Sequence, residues 1–492
     1  MAEAALDTAD LVIRGARLID GTGGPSVSGD LAVVDDRIAA IGELGRVKGA
    51  VEIAVGGRAL APGFIDVHTH DDRALLVDPA MACKASQGVT TVVTGNCGVS
   101  LAPLSLSGPP PPPLDLICDT AEGYFADFGA YLDRLDNEPA ALNALCQVGH
   151  SSLRAEAMDA LDRPATAAEI AAMRGRLEAA LEAGAIGLST GLDYAPAAAA
   201  PMQEVIALAR AVSAAGGLHT THMRNEGDRV SESLEETFEI GRAARVPVVI
   251  SHHKCAGKRN HGRSSSTLGQ IETARGAQKV GLDAYPYNAA STVLAGSFLE
   301  KADRVIVTWS KARPELAGRD LDEIAAELNL TREAAVEALQ PAGAIYFTMD
   351  EADVRRILAY PHTMIGSDGL PHDAFPHPRL WGSFPRVLGH YARDVGLFSL
   401  EQAVHKMTGL SAATFGLAER GVLRAGAFAD LVLFDPATVI DAATFEAPKT
   451  PARGIELVLV NGRAVWRDGA VTGARPGRAI RRQALEIPGA GA

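Results

Sequence analysis

Cysteine is scarce in this chain, and long apolar runs are absent. Only 5 of the 492 residues are cysteines, and their odd number and irregular spacing argue against a disulfide framework. No hydrophobic run reaches the ~18 residues that a transmembrane helix needs. The N-terminus has no basic stretch before an apolar core, so we expect no secretory signal peptide and a cytoplasmic location. A cysteine with a special role is then expected to be a metal ligand or a nucleophile.

Charge of one sign is not concentrated anywhere in the chain. Its 46 basic and 60 acidic residues give a net charge of −14, and they are spread without long runs. This pattern disfavours nucleic acid and anionic membranes as partners. A small anionic substrate would need cations placed locally. The sequence leaves the oligomeric state open.

The middle of the chain alternates short apolar strands with helix-like segments. The strand segments are FIDVHTH, TTVVTGNCG, NALCQVGH, IGLSTGLDY, LHTTHMRNE, PVVISHHK, GLDAYPY and HTMIGSDG. Between them, stretches such as AAEIAAMRGRLEAALEAG have helical spacing and a closing glycine. Eight such βα units predict an α/β protein with a (β/α)₈ TIM-like barrel over residues 62–420.

Both chain ends have a different texture, with short alternating strands between Gly-rich turns. Residues 1–61 and 421–492 are therefore predicted to pair into one small β-sandwich. Within the barrel region, residues 289–349 contain the amphipathic stretches LDEIAAELNL and REAAVEAL. This insert predicts a helical cap over the barrel.

A pair of histidines marks a candidate metal site. The segment APGFIDVHTH ends in His68 and His70, which lie on one face because side chains alternate along a strand. The other candidates, each at the end of a predicted strand, are Cys97, His222, His252 or His253, and Asp368. The carboxyl ends of barrel strands meet at one mouth. Thiolate and imidazole donors favour Zn²⁺ over Mg²⁺ or Ca²⁺.

Asp368, in IGSDG at the end of the eighth strand, is the candidate general base and acid. A catalytic zinc lowers the pKa of water, and a nearby carboxylate can take the water's proton and pass it to the leaving group. The alternative for Asp368 is a cap of the turn that follows it.

Several long motifs together indicate a family. They are PGFIDVHTH, GVTTVVTGNCG, GLSTGLDYAP, THMRNEG, VVISHHK, IGSDG and HPRLWGSFPRVL. The chain resembles, over almost its entire length, the N-acyl-D-amino-acid deacylases, or D-aminoacylases, of the amidohydrolase superfamily. The resemblance implies that Cys97, His222 and His252 hold a tight zinc, while His68 and His70 form a second, weaker site. In SHHK the family pattern favours the first histidine, so His253 is expected to be structural.

The same resemblance implies a substrate site. The residues expected to hold the α-carboxylate are Lys254, Tyr285, Ser291 and Arg379, and Tyr194 is expected to polarise the amide carbonyl. Members that prefer acidic D-amino acids place an arginine shortly after the seventh strand, but here no basic residue appears before Lys301. Val293, Leu294 and Phe298 are expected to line an apolar pocket instead. We therefore predict neutral or hydrophobic D-side chains.

These features predict zinc-dependent hydrolysis of N-acyl-D-amino acids. One alternative is another amide, a cyclic ureide or an N-acyl dipeptide. Hydantoinase-like relatives use a carboxylated lysine from the fourth strand, and the absence of any lysine between Lys84 and Lys254 weighs against the cyclic case. A second alternative is a non-catalytic scaffold that has lost its metal. It predicts missing ligands, and none is missing.

Overall fold

Strands from the two ends of the chain form one sheet of nine strands. The computed structural model describes residues 6–482, so residues 1–5 and 483–492 of the two predicted halves lie outside the described residues. The strands are Thr8–Leu18, Val27–Val34, Arg37–Gly42, Lys48–Ala54, Ala59–Pro62, Leu431–Phe434, Ile455–Val460, Arg463–Arg467 and Ala470–Val471. Ala59–Pro62 pairs antiparallel with Leu431–Phe434 and joins the two ends. The predicted sandwich is thus a single hydrogen-bonded sheet, with a core drawn from both ends.

Eight parallel strands build the predicted barrel. They are Phe64–Asp66, Val89–Thr94, Asn143–Cys146 continued by Val148–Gly149, Gly187–Gly191, Leu218–His222, Val248–Ile250, Val280–Ala284 and Thr363–Ile365. The third strand is interrupted at Gln147, whose amide still bonds to the second strand. The first and eighth strands meet through a parallel bridge between Thr69 and Gly369. The barrel prediction is confirmed.

Helices connect the barrel strands. The longer ones are Phe128–Asn137, His150–Ala157, Ala167–Ala183, Met202–Ala214, Val230–Ala244, Ser264–Arg275, Glu351–Ala359, Arg379–Arg386 with its π-helical continuation Val387–Asp394, Leu400–Met407 and Gly409–Phe415. Short helices lie at Ala74–Val77, Ala82–Ala85 and Ala195–Ala198. Ala167–Ala183 begins at a capping box between Thr166 and Glu169 and ends at Gly184, whose φ is 120°. None of the helices in residues 6–482 is long and apolar enough to span a bilayer.

The insert differs from the predicted helical cap. Its helices Leu321–Leu328 and Arg332–Leu339 match the amphipathic stretches, and the short helix Gly296–Leu299 precedes them. It also contains a three-stranded antiparallel sheet made of Ala289–Val293, Val305–Ser310 and Ala342–Phe347. The β-branched and aromatic residues of VIVTWS and AIYF explain these strands. The cap is therefore a small α/β unit with its own core.

Candidate active site

Residues at the ends of several barrel strands converge on the thiol of Cys97. Its Sγ atom lies 3.2 Å from His68 Nε2 and 3.4 Å from His252 Nε2. His70 and His222 also contact this thiol. All five side chains are buried. The structure therefore brings every predicted metal ligand into one cluster around Cys97.

The donors of this cluster fit zinc. Ligand atoms of His68, Cys97, His252 and Asp368 all lie within 4.8 Å of one another. Burial alone would raise the pKa of the Cys97 thiol, but the charges of His68 and His252 hold that pKa well below its usual range. A thiolate among imidazoles is the donor chemistry that zinc prefers. His68 is as close to Cys97 as His252 is, so the protein geometry alone does not separate a tight ligand set from a weak one.

Backbone strain is concentrated at the same place. Cys97, His252 and Asp368 have φ values of 53°, 35° and 50°, in the left-handed region that non-glycine residues rarely adopt. Each follows a barrel strand by two or three residues. Strained conformations of this kind persist where the surrounding structure enforces them, and they cluster at functional sites. Here the left-handed turns direct three side chains toward one point.

Asp368 lies between the histidines and a buried arginine. Its Oδ1 atom is 3.2 Å from His70 Nε2, and its Oδ2 atom is 2.9 Å from Arg379 Nη1. Burial alone would raise the pKa of Asp368, but Arg379 and the nearby imidazoles hold it well below its usual range. The carboxylate is therefore ionised and faces the ligand cluster.

A cavity of about 610 Å³, counting the part open to solvent, lies beside the cluster. It is lined by Tyr194, Lys254, Tyr285 and Ser291 of the predicted substrate site, together with His222, His252 and Asp368. The Arg379 guanidinium lies 4.6 Å from the centre of the Tyr285 ring, and Lys254 Nζ lies 5.6 Å from it. The structure thus places two cations and a phenol together, next to Asp368.

Three hydroxyl groups at this cavity, those of Tyr285, Ser291 and Thr348, are buried without a partner within residues 6–482. Burial raises the pKa of Tyr285 to about 12, so its phenol remains a donor at neutral pH. Buried polar groups are normally satisfied, and unsatisfied hydroxyls beside two cations indicate a place for an anionic ligand.

The residues predicted to line an apolar side-chain pocket are only partly at the cavity. Phe298 lines it, whereas Leu294 is buried in the core of the cap and Val293 is not part of the lining. Lys301 also lines the cavity, with its ammonium 5.7 Å from the centre of the Phe298 ring. The expectation for Val293 and Leu294 was wrong because the strand Ala289–Val293 pairs within the cap sheet and presents Ser291 and Thr292 to the cavity instead.

Tyr194 and His253 take different positions around the cluster. The Tyr194 hydroxyl lines the cavity and bonds to Thr292 Oγ1 at 2.9 Å, while its ring packs 4.8 Å from that of His222. His253 points elsewhere, and its Nε2 atom lies 2.9 Å from Thr267 Oγ1 in a buried environment. This contact is the one expected of a structural histidine.

Sequence reasoning missed Glu226 and Asp283. Glu226, in THMRNEG, places a carboxylate oxygen 2.9 Å from His252 Nδ1 and both oxygens 2.8 Å from Lys254 Nζ. Asp283, in the seventh strand, accepts the amide of His252 at 2.9 Å and lies 3.4 Å from His68 Nδ1. Both acids lie near the ends of predicted barrel strands. That position is the feature of the sequence that could have identified them as site residues.

A buried charge network behind the cluster was missed as well. Lys84 Nζ lies 2.7 Å from Asp66 Oδ2, 2.6 Å from Ser367 Oγ and 3.3 Å from Asp71 Oδ2. Asp66 also accepts the amide of Ser367. These contacts tie the first strand to the turn that carries Asp368. The network therefore supports the site without lining it.

Known proteins are similar to this chain over nearly its whole length. The model of the amidohydrolase family matches residues 51–466. The chain is 58% identical over 475 residues to a D-aminoacylase of Alcaligenes xylosoxydans xylosoxydans, covering 96% of this chain and 98% of the relative. It is 54% identical over 474 residues to an N-acyl-D-aspartate deacylase of the same organism, covering 96% and 95%.

Solved structures show the same similarity in three dimensions. One is a D-aminoacylase with a binuclear metal centre, described as activated by one metal and attenuated by a second, with a TM-score of 0.94 and 56% identity. Another is an N-acyl-D-glutamate deacylase of Bordetella bronchiseptica complexed with zinc and a phosphonate inhibitor, with a TM-score of 0.94 and 49% identity. Each match covers 96% of this chain and 100% of the other chain.

Proposed function

This chain belongs to the amidohydrolase family, within the group of D-aminoacylases, and from that premise we propose that it hydrolyses N-acyl-D-amino acids to a carboxylate and a free D-amino acid. One observation carries the proposal. The cavity beside the Cys97 cluster is lined by Asp368, Lys254 and unpartnered hydroxyls, and the fully buried Arg379 pairs with Asp368 behind its wall. Such a cavity suits an amide that carries an α-carboxylate.

We assign the tight zinc to Cys97, His222 and His252, and a second, weaker site to His68 and His70. The thiolate and imidazole donors of the cluster support zinc. When bound, zinc supplies a Lewis acid that polarises the amide carbonyl and lowers the pKa of water. The one-metal activation described for the D-aminoacylase relative is consistent with a single essential ion.

Asp368 moves the proton in this proposal. Its ionised carboxylate takes a proton from the attacking water and then gives it to the nitrogen as the C–N bond breaks. The Tyr194 hydroxyl, at the wall of the cavity, donates to the amide carbonyl where negative charge develops.

The α-carboxylate is held beside Asp368, where Arg379, Lys254 and Tyr285 lie together. Arg379 and Lys254 neutralise it, and the hydroxyls of Tyr285 and Ser291 donate to its oxygens. We call Arg379, Lys254, Tyr285 and Ser291 the carboxylate grip. Arg379 also pairs with Asp368, so the grip is anchored to the carboxylate that transfers protons. This pairing fixes the distance between the bound α-carboxylate of the substrate and Asp368, which acts on the scissile amide bond.

Replacing Ser291 with alanine should raise KM about 10-fold and leave kcat and Tm nearly unchanged, because a hydrogen bond to a charged group contributes about 1.5–3 kcal/mol. Stability should not fall, since Ser291 Oγ has no partner within residues 6–482. Steady-state kinetics and thermal unfolding measure both effects. Ser86→Ala is the matched control, because Ser86 Oγ is also buried and unpartnered within those residues but does not line the cavity. An unchanged KM would remove Ser291 from the grip.

We further propose that the enzyme prefers neutral or hydrophobic D-side chains. Phe298 supports this preference, while Lys301 offers the cavity a cation that an acidic side chain would use. In a panel of N-acetyl-D- and N-acetyl-L-amino acids, we expect turnover of the D-substrates only. The kcat/KM for N-acetyl-D-leucine and N-acetyl-D-methionine should be about 10-fold or more above that for N-acetyl-D-aspartate and N-acetyl-D-glutamate. Preference for the acidic substrates would overturn the side-chain assignment. Hydrolysis of a cyclic ureide or an N-acyl dipeptide, with no activity on the panel, would overturn the function.

A further inference from the structure

Glu226 lies between His252 of the Cys97 cluster and Lys254 of the carboxylate grip. Its Oε1 atom is 2.9 Å from His252 Nδ1, and both carboxylate oxygens are 2.8 Å from Lys254 Nζ. On the far side of the imidazole, His252 Nε2 is 3.4 Å from Cys97 Sγ. The Glu226 side chain is 12% exposed and lines the cavity. Glu226 Oε2 also lies 3.9 Å from His222 Nε2, so one carboxylate faces two candidate zinc ligands and the Lys254 cation.

We propose that Glu226 is a positioning residue that orients His252 toward the metal and holds Lys254 at the substrate's carboxylate. Accepting the Nδ1–H of His252 leaves the lone pair of Nε2 directed at the Cys97 cluster. Holding the Lys254 ammonium keeps a positive charge at the grip. The role toward Lys254 rests on the proposed function, because it takes Lys254 as part of the carboxylate grip. The role toward His252 does not.

Whether His252 can bind a metal through Nε2 depends on which ring nitrogen carries the proton. In a neutral imidazole one nitrogen donates and the other accepts, and only the accepting nitrogen can bind a metal. Nδ1 faces two groups of opposite kind, the Glu226 carboxylate and the Lys254 ammonium 2.7 Å away. Lysine has donors only, so Lys254 alone would favour the proton on Nε2 and block the ligand. Glu226 accepts a hydrogen bond from Nδ1–H and so favours the tautomer in which Nε2 is free to bind a metal.

The backbone around Glu226 is held firmly enough for this role. Asn225 Oδ1 accepts the amides of Gly227 and Arg229 at 3.0 and 2.9 Å. The carbonyl oxygen of Glu226 accepts the amide of Ala256 at 2.7 Å. Carboxylates that orient a metal-binding histidine typically contribute about 10–100-fold to metal affinity or activity.

Glu226→Leu should therefore lower zinc affinity about 10–100-fold, measured on the full-length protein by competition with a chromophoric zinc chelator. It should also raise KM for an N-acetyl-D-amino acid more than it lowers kcat at saturating zinc. Glu236→Leu is the matched control. Glu236 accepts hydrogen bonds from Arg224, two residues before Glu226, but contacts neither His252 nor Lys254. Its replacement should therefore change zinc affinity less than about 2-fold.

Glu226→Gln adds a second, milder test, because it keeps an acceptor oxygen but loses the charge. It should bind zinc more tightly than Glu226→Leu and still show a KM about 5-fold above wild type, since hydrogen bonds to charged groups are roughly twice as strong as neutral ones. If Glu226→Leu does not fold, a wild-type KM in Glu226→Gln overturns the proposal.

The zinc measurement separates this proposal from the proposed function, because it needs no substrate. Wild-type zinc affinity in Glu226→Leu overturns the positioning role whatever the substrate panel shows. An equal loss of zinc in Glu236→Leu also overturns it, because the effect would then belong to the segment as a whole. A zinc loss in Glu226→Leu that Glu226→Gln largely restores supports the orientation of His252 even if the panel shows no turnover, because the glutamine oxygen still accepts the Nδ1–H. An equally large loss in Glu226→Gln would make Glu226 a metal ligand and overturn the positioning role.

Discussion

Asp368→Asn should lower kcat by about 10³-fold or more, because general acid–base catalysis contributes 10²–10⁴-fold and Asp368 is assigned both proton transfers. Asparagine has nearly the same shape but can neither accept nor release the proton. Zinc should remain bound, since Cys97, His222 and His252 are unchanged. The measurement is kcat on an N-acetyl-D-amino acid, together with zinc content after exhaustive dialysis.

Asp373→Asn is the control for this substitution. Asp373 is also buried and lies five residues further along, but it lines a different cavity beside Trp309. Its replacement should leave kcat within a few-fold of wild type. A near-normal kcat in Asp368→Asn with zinc bound would show that another group transfers the proton. A loss of zinc would instead assign Asp368 to the metal rather than to proton transfer.

Local patterns predicted the parts of this molecule that depend on neighbouring residues. The alternation in FIDVHTH and the helix signals around Ala167–Ala183 each act within a few residues, and the barrel follows from repeating such units. Cys97, His222 and Asp368 could be identified because each stands at the end of a strand or just beyond it. Once the strands form a barrel, their ends meet, so the cluster follows from the fold.

Contacts between distant residues were harder to predict. Lys84 bonds to Ser367, 283 positions away, and no local pattern marks that pair. The cap sheet was missed because its amphipathic helices give a stronger periodic signal than three short strands. Glu226 was overlooked for a related reason, since its role depends on His252 and Lys254 from the next strand.

The cap is part of the active site rather than a cover alone. Ser291 and Thr292 come from its first strand, and Phe298 and Lys301 from the segment that follows. The barrel thus supplies the proposed metal ligands and Asp368, while the cap supplies part of the cavity wall. Changes in the cap should alter KM and side-chain preference more than the proton transfer, because the groups that transfer protons lie on the barrel.

Cys97→Ala should lower zinc affinity by more than about 100-fold, because it removes a proposed ligand and the loss of an outer-shell partner already costs about 10–100-fold. His68, His70, His222 and His252 all contact the Cys97 thiol, and its low pKa favours the thiolate form that binds metal. Activity should fall with the zinc content. Metal analysis after exhaustive dialysis, followed by zinc titration of the variant, measures both.

Cys146→Ala distinguishes a ligand from a merely buried cysteine. Cys146 ends the first segment of the third barrel strand and is 3% exposed, comparable to the 2% of Cys97. Burial raises the pKa of its thiol to about 12, so at neutral pH it stays protonated and packs as a small apolar group. Its replacement should cost some stability but no zinc. If the two alanine variants keep equal amounts of zinc, Cys97 does not hold the metal, and the histidines and Asp368 must bind it alone.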